Sequence, residues 1–191
     1  MMKAIVAESY GPPEVLELVE VDTPVLSDDE VLVRILATTV VLGDCEIRGF
    51  QFPQYGLGLR LLMRLGFGLR GPRKKILGQQ LAGEIEKVGK EVTRFKEGDQ
   101  VFGVTGLNLG TYAEYTSLGE DAVLTEKPAN MRFEEASTIP LGGLEALYFL
   151  RKAKIQSGQR VLINGAGGSI GTIAVQLAKN QGAEVTAVDS A

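Results

Sequence analysis

Residues 159–171 read Gln-Arg-Val-Leu-Ile-Asn-Gly-Ala-Gly-Gly-Ser-Ile-Gly, and this stretch decides how the C-terminal third of the chain folds. It starts with an apolar run bounded by polar residues, which is typical of a buried strand. A glycine-rich turn follows, and Thr172–Asn180 after it is rich in helix-forming residues. A second apolar run, Glu184–Asp189, comes after Gly182. Strand, glycine turn, helix and strand within about 30 residues predict one βαβ unit.

The glycine turn has the spacing of a dinucleotide-binding loop. Gly165, Gly168 and Gly171 form a G-x-x-G-x-x-G pattern, and Ala166 with the last two fits G-x-G-x-x-G with its first glycine replaced. Glycines at this spacing let backbone N–H groups and a helix N-terminus approach a pyrophosphate. We therefore expect dinucleotide binding, with a turn kept only for packing as the alternative. The residues expected to bind the cofactor are Gly165, Ala166, Gly167, Gly168, Ser169, Ile170 and Gly171.

An acidic residue follows the glycine turn at a suitable distance. Asp189 lies 18 residues after Gly171, at the end of the second predicted strand. A carboxylate at that place is suited to bind the ribose hydroxyls of a dinucleotide. A solvated acid at a strand end is the alternative interpretation.

The first two thirds of the chain consist of short β-rich runs separated by turn residues such as Gly11-Pro12-Pro13. Many short strands with glycines at the corners predict a small barrel or sandwich, and an open antiparallel sheet is the alternative. Helix formers appear later, at Phe133–Ala136 and Leu141–Lys152. The predicted strands are Lys3–Glu8, Val15–Val21, Glu30–Thr38, Leu81–Val88, Gln100–Val104 and Tyr112–Thr116.

Composition excludes several classes of protein. Of 191 residues, 45% are hydrophobic and 23% charged, with a net charge of −4, which excludes a disordered chain and disfavours a nucleic-acid partner. The absence of histidine and the single cysteine, Cys45, exclude Ser-His-Asp and Cys-His catalysis and any zinc site built from His and Cys. No secretory signal pattern and no transmembrane segment are present in the sequence. We expect a cytoplasmic protein whose chemistry comes largely from a cofactor.

Seven further segments, together with the glycine turn, follow the order of motifs in one protein superfamily. They are Glu30–Arg34, Gly43-Asp44 with Arg48, Leu77–Ile85, Val88-Gly89, Val92–Phe95, Gly98–Gly103 and Tyr112–Tyr115. In this order they resemble the medium-chain dehydrogenase/reductase superfamily, specifically its zinc-independent quinone-oxidoreductase-like branch. The resemblance covers nearly all of the chain.

The resemblance implies an α+β fold with an α/β part. A GroES-like β-barrel domain that carries the substrate pocket would be followed by the first βαβ unit of an incomplete Rossmann domain. We place the GroES-like domain at residues 1–127 and the start of the Rossmann domain at residues 128–191. The sequence then corresponds to the N-terminal portion of a longer enzyme, and the fragment alone is expected to be inactive. The full-length parent is expected to be a homodimer.

The sequence departs from the zinc-dependent relatives at both of their zinc sites. Those relatives have a cysteine shortly before the acid at Asp44 and a His-Glu pair after the glycine at Gly78. This chain has Val41 and Leu42 in the first place and Gln79-Gln80 in the second, and it lacks the Cys-rich structural-zinc loop. The resemblance therefore implies an enzyme without zinc.

By this resemblance the protein is an NADPH- or NADH-dependent oxidoreductase that passes a hydride to a small-molecule substrate, a quinone or an α,β-unsaturated carbonyl compound. The residues expected to line the pocket for nicotinamide and substrate are Val41, Leu42, Gly43 and Tyr55. No catalytic residue is identified, and the weak candidates are Tyr55, Asp44 and Arg48. The last two are spaced i, i+4, which favours an ion pair between them over direct substrate contacts.

Two other functions stay open. Relatives carry an Asn near Val41 and a Thr at the position of Glu145, and their loss is compatible with a non-catalytic nucleotide-binding protein of the same fold. Residues 57–75 combine leucines with cations and contain no acidic residue, which is compatible with peripheral membrane association. Glycines at 56, 58, 66 and 68 weaken a continuous helix, so we favour an arm that lines the substrate cleft.

Overall fold

The computed structural model describes residues 1–190 and divides the chain into two units, Met1–Ser137 and Thr138–Ala191. The short helix Phe133–Ser137 therefore belongs to the first unit. The predicted boundary at 127/128 stays a prediction about the domains of the intact protein. No helix among the described residues has both the length and the apolar character needed to cross a bilayer.

The first unit contains seven strands in two antiparallel sheets. Strands β1 and β2 form a hairpin, and the other five form one sheet in the order β6-β3-β4-β5-β7. Two isolated bridges, Ala4 to Ala113 and Val6 to Ile76, connect β1 to chain segments near the second sheet. The strands are β1 (Met2–Ala7), β2 (Leu16–Val21), β3 (Glu30–Thr38), β4 (Gln80–Val88), β5 (Gln100–Val104), β6 (Tyr115–Gly119) and β7 (Val123–Glu126).

The sheet predictions were correct in the regular parts and wrong near residue 112. The expected strand Tyr112–Thr116 is displaced, because β6 begins only at Tyr115 and Tyr112 instead donates its backbone N–H to the carbonyl of Leu77. Strand β7 was missed, because its four residues contain a single buried side chain, Leu124.

The core of the sheet follows from the alternation of side chains along each strand. Val31 and Val33 of β3 belong to one buried cluster with Leu81 and Ile85 of β4, and all four are at most 1% exposed. Val101, Leu118, Leu124 and Phe95 complete this cluster. A separate aromatic cluster contains Phe50, Phe52, Ile47, Leu77, Leu109 and Ala7.

Three helices accompany the sheets of the first unit: α1 (Leu42–Gly49), α2 (Leu57–Phe67) and α3 (Phe133–Ser137). Helix α2 is continuous over Leu57–Phe67 despite its glycines. Gly56 is its N-cap and Gly68 its C-cap, while Gly58 and Gly66 lie in the first and last turns. Glycine disfavours a helix through its backbone freedom, and this matters least at the helix ends, where glycine is a common cap.

The second unit consists of α4 (Pro140–Ala153), β8 (Arg160–Asn164), α5 (Ser169–Asn180) and β9 (Glu184–Val188). Strands β8 and β9 pair in parallel with α5 as their connection, which confirms the predicted βαβ unit. Helices α4 and α5 pack together through Ala146, Leu150, Ala174 and Ala178. Small residues at this contact allow the two helices to approach closely.

Two glycine-to-alanine substitutions in the first unit are expected to change stability in opposite directions. A Cβ at Gly83 would lie 2.1 Å from the carbonyl oxygen of Arg34 on the neighbouring strand, so Gly83→Ala should lower the free energy of unfolding by about 1–3 kcal/mol. A Cβ at Gly58 meets no atom within 4 Å, so Gly58→Ala should raise it by up to about 1 kcal/mol. Urea denaturation of both variants measures the difference, and equal midpoints would contradict the packing described for β3 and β4.

Candidate functional site

The glycine turn of the second unit runs from the end of β8 to the start of α5. Gly165 has φ +75°, a conformation that favours glycine, and its N–H and that of Ala166 donate to the carbonyl of Val188 at 2.8 and 3.0 Å. The turn is thereby fixed to the end of β9. A Cβ at Gly171 would lie 2.1 Å from the carbonyl oxygen of Gly165, so this glycine is required for the packing of the turn on the helix.

The N-terminus of α5 has no side-chain cap. Its N-cap residue is Gly168. The first N–H groups of an α-helix have no intrahelical acceptor, so they are available to an anion. A Cβ at Gly168 would meet only the carbonyl oxygen of Gly165, at 3.6 Å. The packing of the turn therefore does not require a glycine at position 168.

Asp189 lies directly against the glycine turn. One of its carboxylate oxygens, Oδ2, accepts a hydrogen bond from the backbone N–H of Gly167. The other, Oδ1, accepts one from the N–H of Ser190 at 2.8 Å. The structure therefore brings this acid together with the turn, as the spacing in the sequence suggested. Its assignment as the ribose partner stays a prediction.

A buried carboxylate organises the candidate site of the first unit. Asp44 is 2% exposed, and its two oxygens accept three hydrogen bonds. The donors are the backbone N–H of Val41 at 3.1 Å, Nε2 of Gln79 at 3.1 Å and the hydroxyl of Tyr112 at 3.0 Å. These residues belong to the start of α1, the residue before β4 and the segment that leads to β6. One carboxylate thus joins three distant parts of the chain.

The expected ion pair between Asp44 and Arg48 is not present. Asp44 points inward to the three donors above, whereas Nε of Arg48 donates to the carbonyl of Gly11 at 3.3 Å. The i, i+4 spacing places both side chains on one helix. A buried carboxylate is costly unless it is hydrogen-bonded, and the three close donors meet this need. The pairing prediction was therefore wrong.

The pKa of the Tyr112 phenol lies far above its ordinary value. Burial is the largest cause, because it disfavours the phenolate, and the negative charge of Asp44 is the second. The hydrogen bond to Asp44 adds to both effects, since it requires the proton on Tyr112. Tyr112 is therefore a permanent donor to Asp44 at neutral pH.

The residues predicted to line the pocket are distributed over two places. Val41, Leu42 and Gly43 form the N-cap and first turn of α1, where Leu42 is 75% exposed and a Cβ at Gly43 would lie 3.0 Å from Nε2 of Gln79. Tyr55 lies beyond α1, with its ring centroid 6.2 Å from that of Phe52, and is 41% exposed. Among the described residues, no hydrogen bond joins Tyr55 to the other three.

A cavity of about 410 Å³ lies between the β1–β2 hairpin and the end of β3. Its walls are mainly apolar, and it reaches Val40, the residue before Val41. Two of its polar groups, the hydroxyls of Thr38 and Thr111, are 2.9 Å apart. Thr38 also donates to the carbonyl of Gln80 at 2.7 Å. A volume of this size is in the range of small-molecule pockets.

Two amides occupy the places where zinc-dependent relatives have their His-Glu pair. Gln79 donates to Asp44, and Nε2 of Gln80 donates to the hydroxyl of Thr39 at 2.8 Å. Within residues 1–190, no group of three or more His, Cys, Asp or Glu side chains is placed to hold a metal ion.

Gln79 and Tyr112 are site residues that the sequence motifs did not predict. Both lie within segments that carried the family resemblance, but neither was chosen as a site residue. The sequence contained one indication of a close packing arrangement here, which is Gly78 directly before Gln79. Its φ is +89°, and a Cβ there would lie 2.3 Å from Oγ1 of Thr111, so a glycine in this position indicates close approach of two segments.

Removing the Tyr112 hydroxyl is expected to change both stability and its pH dependence. Tyr112→Phe leaves the buried Asp44 with one donor fewer, which should lower the free energy of unfolding by about 2 kcal/mol at neutral pH. Because the folded-state pKa of Tyr112 is raised, its contribution is complete below about pH 10 and is lost as the pH rises further. Denaturation from neutral pH to above pH 10 should therefore show a shallower decline for the variant.

The matched control is Tyr55→Phe. The Tyr55 hydroxyl has no hydrogen bond among the described residues, so its removal should change the free energy of unfolding by no more than about 0.5 kcal/mol. If Tyr112→Phe behaved like this control, the network around Asp44 would not be stabilising.

Comparison with known proteins identifies the family. The family model of the alcohol dehydrogenase GroES-like domain matches residues 27–129. A quinone oxidoreductase of Pseudomonas aeruginosa is 36% identical over 97% of this chain and 52% of its own length. A 2-methylene-furan-3-one reductase of Solanum lycopersicum is 33% identical over 94% of this chain and 44% of its own.

A solved structure gives the same result. The quinone oxidoreductase of Escherichia coli complexed with NADPH superposes with a TM-score of 0.79 at 31% identity, over 99% of this chain and 53% of that one. The chain thus spans about half the length of the relatives it matches. The fold class expected from the sequence is confirmed. The chain belongs to the medium-chain dehydrogenase/reductase superfamily, in its quinone-oxidoreductase-like branch, and contains an alcohol dehydrogenase GroES-like domain.

Proposed function

We propose that this protein acts, in its intact form, as a zinc-independent NAD(P)H-dependent oxidoreductase whose acceptor is a quinone or an α,β-unsaturated carbonyl compound. The observation that carries the proposal is the uncapped N-terminus of α5 with Asp189 against its glycine turn. The names of the relatives, quinone oxidoreductases and an enone-type reductase, support the class of acceptor.

The second unit offers the groups that a dinucleotide needs. The N–H groups at the start of α5 would bind the pyrophosphate, and the space before Gly168 gives it access. The Asp189 carboxylate would accept hydrogen bonds from ribose hydroxyls. The dinucleotide, when bound, supplies the hydride.

The first unit would shape the pocket for nicotinamide and substrate. Asp44 accepts the N–H of Val41 and so fixes the conformation of the residues that lead into α1. Val41 and Leu42 then present apolar surface, which suits a quinone ring or an enone and excludes water. Gly43 leaves room beside the Gln79 amide.

Among the catalytic candidates, Tyr55 is the one whose polar group is not already engaged, so it is the candidate that could give a proton to a reduced substrate. Asp44 is buried and already accepts three hydrogen bonds, and Nε of Arg48 is bound to the carbonyl of Gly11. Both are therefore better described as structural. The Tyr55 side chain is 41% exposed and its hydroxyl is free of hydrogen bonds among the described residues.

Zinc independence is supported by the two glutamines that follow Gly78. Both amides already donate hydrogen bonds. Gln79 donates to the Asp44 carboxylate, and Gln80 donates to the Thr39 hydroxyl. The Gln79 amide orients Asp44 through a hydrogen bond, and a neutral amide is not among the usual zinc ligands of proteins, which are Cys, His, Asp and Glu.

The proposed activity is tested on the intact protein that contains this chain. After dialysis against EDTA it should still oxidise NADPH or NADH when a quinone or an enone is added, followed by loss of nicotinamide absorbance. The variant Gly168→Ser should bind the dinucleotide at least about tenfold more weakly, because its side chain enters the approach to the helix N-terminus. It should keep its stability, because serine is a good N-cap residue.

Gly171→Ala is the matched control for packing and should destabilise the unit through its contact with Gly165. Binding without turnover would favour the non-catalytic alternative. Full cofactor binding by Gly168→Ser would contradict the assigned pyrophosphate site.

The charge of Asp189 is expected to influence the choice of cofactor. A carboxylate repels the 2′-phosphate of NADPH, so Asp189→Asn should raise the ratio of NADPH to NADH affinity on the order of tenfold. Titrations followed by nicotinamide fluorescence measure this ratio. Glu184→Gln, at the other end of β9, removes the same charge and should leave the ratio unchanged. A ratio that is the same in both variants would show that Asp189 does not contact the ribose.

A further inference from the structure

Helix α2 has an apolar face that nothing in the described chain covers. Leu57, Leu61 and Leu65 are spaced by four residues and form one row, and Leu62 lies beside them. These four side chains are between 57% and 73% exposed. Contiguous exposed leucines on a soluble protein mark a surface that contacts something else.

The opposite face of α2 already has its partners. Met63 and Phe67 pack against the aromatic cluster of the first unit, and the rings of Phe67 and Phe52 are stacked with centroids 6.1 Å apart. The helix is thus held by one apolar face, and the leucine row is not needed for that attachment.

The sequence segment that contains the leucine row carries only positive charge. Residues 47–83 contain seven of the chain's 20 basic residues and none of its 24 acidic residues. Only Lys75 of these seven has a carboxylate partner among the described residues, with Nζ 2.6 Å from Oε2 of Glu8. Arg60, Arg70 and Arg73 are exposed and have no such partner. The surface therefore complements a negatively charged one.

A cavity of about 440 Å³ lies along the same helix. Met63, Phe67, Leu107 and Leu109 give it apolar walls, and Arg73 and Lys74 lie at its edge. Leu107 is 72% exposed. Apolar walls next to cations suit an amphipathic anion, and this observation is independent of the leucine row.

We propose that α2 and the adjoining cations bind the surface of an anionic lipid bilayer, with the leucine row in the acyl region and Arg60, Arg70 and Arg73 at the headgroups. Leucine on one side and arginine beside it is the pattern of helices that lie in a membrane interface. A second copy of the chain is a poor occupant. In a two-fold interface both copies contribute the same patch, so the exposed arginines of the two copies would be brought together without a carboxylate to pair with. This proposal does not depend on the enzymatic activity.

Vesicle co-sedimentation tests the proposal. The chain should sediment with phosphatidylcholine vesicles that contain about 30 mol % phosphatidylserine and not with phosphatidylcholine alone, and added salt should weaken the binding. Arg60→Gln/Arg70→Gln/Arg73→Gln should weaken it by roughly 100-fold. Leu61→Gln/Leu65→Gln should weaken it by at least about 100-fold.

Matched controls separate the surface from general effects of charge and hydrophobicity. Lys87→Gln/Lys96→Gln/Lys179→Gln removes the same charge elsewhere, and Leu18→Gln/Val25→Gln removes exposed apolar side chains elsewhere. Both should bind as the parent does. Circular dichroism and thermal melting verify that every variant is folded.

A single tryptophan reports where the helix lies. The chain has no tryptophan, so Leu62→Trp adds a unique fluorophore whose emission should be quenched by brominated lipid, whereas Leu18→Trp should not be quenched. The proposal is overturned by absence of sedimentation with anionic vesicles, by equal binding to neutral vesicles or by equal losses in the controls. It is also overturned if an acidic amphipathic peptide binds α2 and vesicles do not.

Discussion

The hydrogen bonds to the buried Asp44 carboxylate determine the conformation of the first unit's candidate site. A buried charge that loses its partners costs several kcal/mol, so each of its donors constrains the segment that supplies it. Gln79 and Tyr112 lie 35 and 68 residues away along the chain. The conformation of Val41 therefore depends on β4 and on the segment before β6. Gly78 serves the same arrangement, because only a residue without Cβ fits against Thr111.

The second unit is organised by close backbone approach instead of by charge. Gly171 packs against the carbonyl of Gly165, and a Cβ at Gly142 would lie 3.0 Å from the backbone of Ser169, so α4 and the turn both lie close to the start of α5. Gly168 has no such neighbour. Packing therefore explains Gly171, whereas Gly168 is the glycine of this turn at which we propose that a ligand approaches. A glycine pattern in a sequence does not separate these roles, because it records only the absence of a side chain.

Local sequence patterns correctly predicted those parts of the structure that depend on residues close together in the sequence. The βαβ unit could be predicted because its strand, turn and helix follow one another within 30 residues, and Asp189 meets the turn because parallel strands end at the same edge. The partners of Asp44 could not be predicted, since they depend on pairings across the whole first unit. Arg48 shows why this prediction failed. The i, i+4 spacing places Arg48 on the same helix as Asp44, but the buried Asp44 carboxylate takes hydrogen-bond donors from other segments. The continuity of helix α2 was not predicted, because the number of its glycines suggested an interruption. The structure places these glycines at the two ends of the helix.

Charge is distributed unevenly along the chain, and the segment around α2 is positive although the net charge is negative. A protein with net charge −4 is repelled by an anionic surface on average, but the segment 47–83 holds cations alone, so the molecule has an electrostatic orientation. Electrostatic attraction acts over about 8 Å in physiological salt, whereas leucine burial contributes only on contact. The cations would therefore turn the helix towards a negative surface before the leucines reach it. Neither feature is sufficient alone: cations without leucines give weak, salt-sensitive adsorption, and leucines without cations give no preference for orientation.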